Sequence, residues 1–370
     1  MESMAKGPKE LFEEVINQGL CTLCGACAGT CPYLVSYQGR IVQLDHCTRS
    51  EGECYQYCPR THIDLDDVSR KIFNQPYAEG ELGTFTEVLI ARASAGSIRK
   101  KAQYGGVVTS LISLAMDEGM IDRAILTATD DDKMPFPFVA SNRTEVLRSA
   151  GSSYMACSVL EAYNRLSRED HDKIGIVGVP CQVLGLSKMK MNSPAHRFNI
   201  ENVSLTIGLF CTWALSPNRF QQYLRDHLNL SSVIRFDIPP PPAERFDAYT
   251  PNGCVSIGLD QVKEYRMPTC AYCLDMTSEF ADISVGSAEG LPGWNTLIVR
   301  TKAGADLMDR AKSAGLVETG VLPDENLTHL KKAAWNKKKR ALKEIVSRTG
   351  SQDNLLYVAL SPQMAEELLK

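Results

Sequence analysis

The stretch CTLCGACAGTCP, residues 21–32, sets Cys21, Cys24, Cys27 and Cys31 ahead of Pro32 at the spacing Cys-x2-Cys-x2-Cys-x3-Cys-Pro. In bacterial ferredoxins that run gives three thiolates to one cubane and the fourth to another. Tight spacing lets successive turns aim three sulfurs at three irons. Gly25 permits close backbone approach, and Pro32 redirects the chain so that the fourth sulfur points elsewhere. The alternative for such a run is a zinc knuckle.

A second run follows, Cys47, Cys54 and Cys58 before Pro59. Its end repeats Cys-x3-Cys-Pro, but Ser50 stands where a cysteine is expected, with one extra residue after it. Crossed ligation assigns Cys21, Cys24, Cys27 and Cys58 to one 4Fe-4S cluster and leaves Cys31, Cys47 and Cys54 for a second. Three thiols fit a three-iron cluster, a cubane with a non-cysteine ligand (His46, Ser50 or Glu53), or a cubane completed by a distant cysteine. Two clusters are expected here; a single cluster with spare thiols is the alternative.

Upstream, residues 8–19 place Leu11, Phe12, Val15 and Ile16 at helical spacing, and Gly19 stops the run. From Cys21 to about Asp64 the chain is rich in Gly, Pro, Thr and Cys, which suits a small domain built around ligands (residues 1–80). Beyond Thr84 the β-rich segments FTEVLIARA, AILTA, KIGIVGVP, VSLTIGLFC, ADISVG and NTLIVRT alternate with helical patterns such as VVTSLISLAMDEGM and VLEAYNRLSRED. That alternation predicts a mixed α/β domain over 85–305. Pro239 to Pro242 read as a stiff extended surface excursion. Residues 306–370 read as a helical C-terminal extension whose lysines, Lys331, Lys332, Lys337, Lys338 and Lys339, form a solvated face or a docking site for an acidic redox partner.

Over the 370 residues, Lys plus Arg is 40 against 44 for Asp plus Glu, a net charge of -4. No sequence-wide basic field exists to hold nucleic acid. Apolar stretches fall short of the roughly 20 residues of a membrane span, and the start MESMAKGPKE has no signal-peptide core. A soluble, cytoplasmic chain is expected, and thirteen cysteines in such a chain point to metal.

Four further cysteines sit beside expected strand ends: Cys181 in GVPCQ, Cys211 in GLFC, and Cys270 with Cys273 in a CxxC before ADISVG. Strand ends in open α/β sheets gather ligands. Four soft donors suit a third cubane or a structural zinc. Cys157 and Cys254 read as small buried apolar side chains. Tyr104, Gly105, Gly106, Val107, Val108, Thr109 and Ser110 open an apolar helix whose first amides and hydroxyls suit a phosphate or the polar edge of a flavin. GxGxxG is absent, so a Rossmann nucleotide site is not indicated. Gly151, Ser152, Ser153 and Tyr154 form a similar segment before a second helix.

In order, YGGVVTSL, GVPCQ, GLFC, CAYCLDMTSEFADISVG and GWNTLIVRT resemble the beta subunit family of coenzyme F420 hydrogenases and dehydrogenases. The N-terminal extension is similar to that of the larger members, such as F420H2 dehydrogenase input subunits and formate dehydrogenase beta subunits; the basic tail lies outside the resemblance. The resemblance implies FAD exchanging hydride with coenzyme F420 as substrate, and two or three 4Fe-4S clusters carrying single electrons. It implies a partner redox subunit of hydrogenase, formate dehydrogenase or heterodisulfide reductase type, or ferredoxin. By the same resemblance Tyr104 to Ser110 and Gly151 to Tyr154 contact the flavin, with Thr127 and Thr129 as further contacts. Cys181, Cys211, Cys270 and Cys273 hold the cluster nearest to it. Arg92, Arg99, Lys100, Lys263 and Arg266 are candidates for the coenzyme's acidic tail. Two other readings stay open: the same cofactors serving another carrier or an organic substrate without F420, and a non-catalytic iron-sulfur module with no flavin.

Overall fold

The computed structural model describes residues 6–166, 172–192, 200–240 and 242–370. Among them, eight strands make the main sheet: β1 (Glu87–Ala93), β2 (Arg123–Thr129), β3 (Pro135–Ala140), β4 (Ile174–Gly178), β5 (Val203–Leu209), β6 (Ile283–Ser287), β7 (Asn295–Val299) and β8 (Val317–Val321). Their order is β8-β1-β7-β6-β5-β4-β2-β3. The neighbours β6, β5, β4 and β2 run parallel, and the pairs on either side are antiparallel. The six β-rich segments read from sequence all lie in this sheet. β3 and β8 escaped notice because Pro135 and Pro137 in one and Gly320 in the other break the apolar signal.

The parallel strands are mostly apolar, as strands covered on both faces tend to be; every residue of β4 is buried, while Thr129 of β2 and Ser204 of β5 are exposed. One covering helix is α1 (Val107–Asp117), whose Val107, Leu111, Ile112, Leu114 and Ala115 enter the main core with Ile207, Ile283 and Leu297. On this sheet also pack α2 (Val159–Asn164), α3 (Pro180–Asn192) and α4 (Lys302–Ser313). The helical pattern of 159–170 is helix through Asn164; its part from 167 lies outside the described residues, as does Pro241 of the proline run.

The N-terminal segment starts as helix at Pro8–Leu11 and widens over Phe12–Ile16, where Asn17 N–H reaches back to the Phe12 carbonyl at 2.9 Å. Gly19, at φ +69°, ends it. The cysteine loop that follows is packed on the α/β region. Asn164 donates from Nδ2 to the carbonyls of Gly25, Ala26 and Ala28 at 3.2, 3.1 and 2.7 Å, and Leu160 N–H donates to the Cys24 carbonyl at 3.0 Å. At the other end of the chain, α5 (Asp324–Thr349) and α6 (Pro362–Leu369) pack together, and Val358–Ala359 pairs in parallel with Ile63–Asp64.

The lysine run is not the solvated face expected of it. Lys332 is exposed, but Lys337 and Lys338 are 3% and 1% exposed. Lys337 donates to the carbonyls of Cys211 and Asp275 at 2.6 and 2.7 Å, and Lys338 pairs with Glu279. Sequence reading went astray because α5 turns this part of its basic face into the protein, where two buried acceptor sites take the ammonium groups. No helix among the described residues is long and apolar enough to cross a membrane.

Candidate functional site

Eleven of the thirteen cysteines act on one another electrostatically, within and between the three sets that the sequence suggests. The first is Cys21, Cys24, Cys27 and Cys58. Burial pushes the Cys21 thiol up to about 12, with Cys58 and Cys24 adding to it. Cys27 lies well above its usual range for the same reasons, burial first and then Cys58, Cys21 and Cys24, and burial followed by Cys24 takes Cys58 to about 11. The second set is Cys31, Cys47 and Cys54, where burial and then the other two thiols push Cys54 up to about 12. Beside it His46 and Ser50 are exposed, and Glu53 is half-buried.

The third set forms at the carboxyl ends of adjacent parallel strands. Cys181 follows β4 through Val179 and Pro180, and Cys211 follows β5 through Phe210. The CxxC loop is drawn to them by the Cys211 N–H to Met276 carbonyl bond at 2.9 Å and by the Ala214 N–H to Cys270 Sγ bond at 3.3 Å. Burial pushes Cys211 up to about 12, with Lys337 opposing and Cys270 and Cys273 reinforcing. Cys181 is raised well above its ordinary value by burial, then by Cys24, Cys273 and Cys211. At Cys273 burial also raises the thiol, yet Lys337 and Arg60 outweigh it and hold it below its ordinary value.

The sets are contiguous, since Cys24 acts on Cys181 and Cys54 acts on Cys27. Among the described residues no three His, Cys, Asp or Glu side chains converge as ligands of a single ion do. Buried thiols that raise one another fit centres that bring positive charge of their own, because iron takes them as thiolates.

Gly25 carries the close approach read from the sequence. It sits at φ +87°, and a Cβ there would meet the Glu161 nitrogen at 2.6 Å and the Ser158 oxygen at 2.7 Å. Gly25→Ala is therefore expected to cost at least about 2 kcal/mol through the left-handed backbone and the clash with fixed backbone. A lowered melting temperature together with a lower iron content would show it; an unchanged melting temperature would refute it.

The same edge of the sheet carries the glycine and hydroxyl segments. Tyr104 bonds Ser287, the last residue of β6, and burial with the Asp237 charge pushes its phenol up to about 12. Gln103 donates from Nε2 to Asp237 at 2.6 Å and to the Tyr154 hydroxyl, which also accepts from Ile238 N–H at 2.9 Å. Two segments some fifty residues apart in sequence thus share one polar network. Beside it the Ser153 hydroxyl is buried with no hydrogen-bond partner, and Gly151 faces open space. An unpaired hydroxyl next to an open glycine fits the polar edge of a flavin.

Gly106, at φ +73°, precedes α1, whose Val107 and Ser110 are buried while Val108 and Thr109 are half-buried. Ser152 is exposed. Thr127 lies within β2 and bonds the buried Cys157 thiol; Thr129 is exposed at the strand's end. Cys157 is a buried apolar side chain as expected. Cys254 is not: it is exposed, because its strand Gly253–Gly258 keeps all but Ile257 exposed. Of the cations proposed for an acidic tail, Arg92 and Arg99 pair with Glu318 at 2.6 and 3.6 Å and Lys263 with Asp260 at 2.8 Å, while Arg266 donates to the Lys263 carbonyl at 3.0 Å.

Sequence reasoning missed the buried cations of the site. Arg60 follows Cys58-Pro59 directly, and Lys188 donates to the Thr61 hydroxyl and to the His62 carbonyl at 3.0 Å. Arg60's place beside the motif was the available signal; Lys188 offered none.

Known proteins resemble this chain in sequence and in fold. The model for the N-terminal region of the coenzyme F420 hydrogenase/dehydrogenase beta subunit matches residues 88–164, the model for its C-terminal region matches 171–325, and a 4Fe-4S binding domain matches 14–35. The coenzyme F420 hydrogenase subunit beta of Methanothermobacter thermautotrophicus is 31% identical over 72% of this chain and 96% of its own length. The coenzyme F420-dependent sulfite reductase of Methanocaldococcus jannaschii is 28% identical over 94% of this chain, which spans about half (53%) of that longer relative. In three dimensions, a chain of the xenon-derivatised F420-reducing [NiFe] hydrogenase complex of Methanosarcina barkeri superposes with a TM-score of 0.68 at 30% identity, over 76% of this chain and 98% of that one. The cysteine runs, the mixed sheet and these likenesses agree: the chain belongs to the coenzyme F420 hydrogenase/dehydrogenase beta subunit family.

Proposed function

We propose that this chain is an FAD-dependent, iron-sulfur oxidoreductase subunit that exchanges hydride with coenzyme F420 and passes single electrons to or from a partner redox subunit. The partner is of hydrogenase, formate dehydrogenase or heterodisulfide reductase type, and the setting is the cytoplasm. The observation that carries the reading is the shared carboxyl edge of β4, β5 and β6. Cys181 and Cys211 stand at the ends of the first two, and the Tyr104 network stands at the end of the third. A bound flavin takes up a hydride and gives electrons one at a time, which neither a deazaflavin nor a cubane does alone.

The chain's own residues would do the rest. Tyr104, Gly105, Gly106 and the start of α1 line one side of the flavin site, and Gly151, Ser153 and Tyr154 line the other. Cys181, Cys211, Cys270 and Cys273 hold the nearest cluster. Cys21, Cys24, Cys27 and Cys58 hold the next, and Cys31, Cys47 and Cys54 hold an outer one of three-iron type or with a non-cysteine ligand. Rings held in contact by fixed backbone gain rate through orientation.

An anaerobic absorbance titration of the cluster-intact chain with reduced coenzyme F420 tests this. Stoichiometric bleaching of flavin and clusters is the expected result. A second reading keeps flavin and clusters but takes electrons from ferredoxin and serves another carrier or an organic substrate; the engagement of Arg92, Arg99 and Lys263 with carboxylates favours it. No bleaching in a chain that contains FAD and is reducible by ferredoxin would establish that second reading. Iron without acid-releasable flavin would sink both.

A further inference from the structure

Arg60 is 4% exposed. Its guanidinium lies over the Tyr357 ring, 4.4 Å from the centroid. Nε donates to the Thr269 hydroxyl at 3.1 Å and Nη2 to the Thr269 carbonyl at 3.4 Å, and the side chain also bonds Cys273. Thr269 in turn donates to the Leu20 carbonyl at 2.6 Å. One side chain is thus fastened both to the loop that enters the first thiol set and to the loop that carries the third.

The partners around it are a hydroxyl, a carbonyl, a ring and a thiol, none of them a carboxylate. A buried cation is costly unless anions compensate it. The anions within its reach are thiolates of two sets: its charge acts on Cys21, Cys24 and Cys58 and also on Cys181, Cys270 and Cys273. Lys337 makes an instructive contrast. It is equally buried, but its charge acts on Cys211, Cys270 and Cys273, within the third set.

We propose that Arg60 is a potential-setting residue shared by two iron-sulfur clusters, its fixed charge favouring the reduced form of both and so raising both potentials along the electron path. The inference rests on the cluster assignment proposed above. Its physics is general: reduction adds negative charge, and nearby charge and hydrogen bonds to cluster sulfurs set the potential.

The test is an EPR-monitored redox titration of the full chain, with iron counted per chain. Arg60→Gln is expected to lower the reduced-to-oxidised ratio of both clusters about tenfold at a given poise, a drop of about 59 mV for one electron. Lys337→Gln should move the third set's cluster alone, and Arg60→Lys, which keeps the charge but loses the planar fork, should leave both midpoints near wild type. Full iron loading with unmoved midpoints in Arg60→Gln, or a shift at one cluster only, overturns the proposal. If the glutamine variant does not load iron, the neutral Arg60→Met is titrated in its place: a fall at both clusters supports the shared charge, and unmoved midpoints or a fall at one cluster alone refute it. A wild-type chain without the two clusters refutes the functional reading itself, and this inference falls with it.

Discussion

Cys273→Ala is expected to strip the inner cluster of its iron and to slow electron passage from flavin to the N-terminal clusters by more than about 100-fold, because partners outside the ligand shell alone are worth 10–100-fold at metal sites. Hydride uptake from reduced coenzyme F420 should survive, since the Tyr104 and Tyr154 network does not include this loop. Cys273 is the sensitive member of its set. Burial disfavours its thiolate, yet Lys337 and Arg60 tip the balance the other way, so its removal also leaves two buried cations short of a counter-charge. Stopped-flow absorbance would separate flavin bleaching from cluster bleaching, and iron analysis would count the loss. Cys254→Ala, at an exposed position, should change neither. N-terminal clusters that bleach at the wild-type rate in Cys273→Ala would show that the CxxC loop holds no cluster on the path.

Where chemistry is written in spacing, the sequence was legible. Cys-x2-Cys-x2-Cys-x3-Cys-Pro and the partial second run grouped Cys58 with the first three thiols, and in the fold these four are near neighbours whose charges act on one another, as the charge of Cys54 also acts on Cys27. The strand ends at Cys181 and Cys211 were legible too, because parallel strands buried on both faces read as unbroken apolar runs. What could not be read depends on direction in space. Nothing in KKK at 337–339 says that the first two ammonium groups turn inward while Lys339 stays half-buried, because a basic run has the same composition on either face of a helix. Nor does spacing reveal that Tyr104 and Tyr154 share Gln103, or that Arg60 reaches Thr269 and Cys273; contacts at separations of 50 to more than 200 residues leave no local pattern. The main sheet likewise draws β8, Val317–Val321, from beyond residue 305, a strand whose alternation is interrupted by Gly320.

Glu279→Ala is the second substitution with a large expected effect, here on stability. Glu279 and Lys338 are 2% and 1% exposed as side chains and form an ion pair, Tyr77 donates its hydroxyl to Glu279 at 2.5 Å, and Lys338 donates to that hydroxyl at 2.9 Å. Removing one partner leaves the other charge buried and uncompensated, at a cost of about 3–5 kcal/mol. The burden is heightened because Arg300 is buried nearby: burial lowers its hold on the proton, and Glu279, first among Glu279, Asp275 and Tyr77, opposes that only in part. Replacing both ions by apolar residues of similar volume, as in Glu279→Leu with Lys338→Met, should recover much of the loss, since such replacements of whole buried pairs are often neutral or stabilising. The effect should reach the third thiol set as well. Asp275 accepts Glu279 N–H through its carboxylate at 2.9 Å and Lys337 through its carbonyl at 2.7 Å, so loosening Glu279 loosens the strap that holds Lys337 over the third thiol set. Thermal unfolding under anaerobic conditions would therefore show a lowered transition in Glu279→Ala, with inner-cluster iron lost at lower temperature than the N-terminal iron. A Glu279→Ala variant as stable as the wild-type chain would mean that the pair contributes nothing and that packing alone seats α5 against the third thiol set.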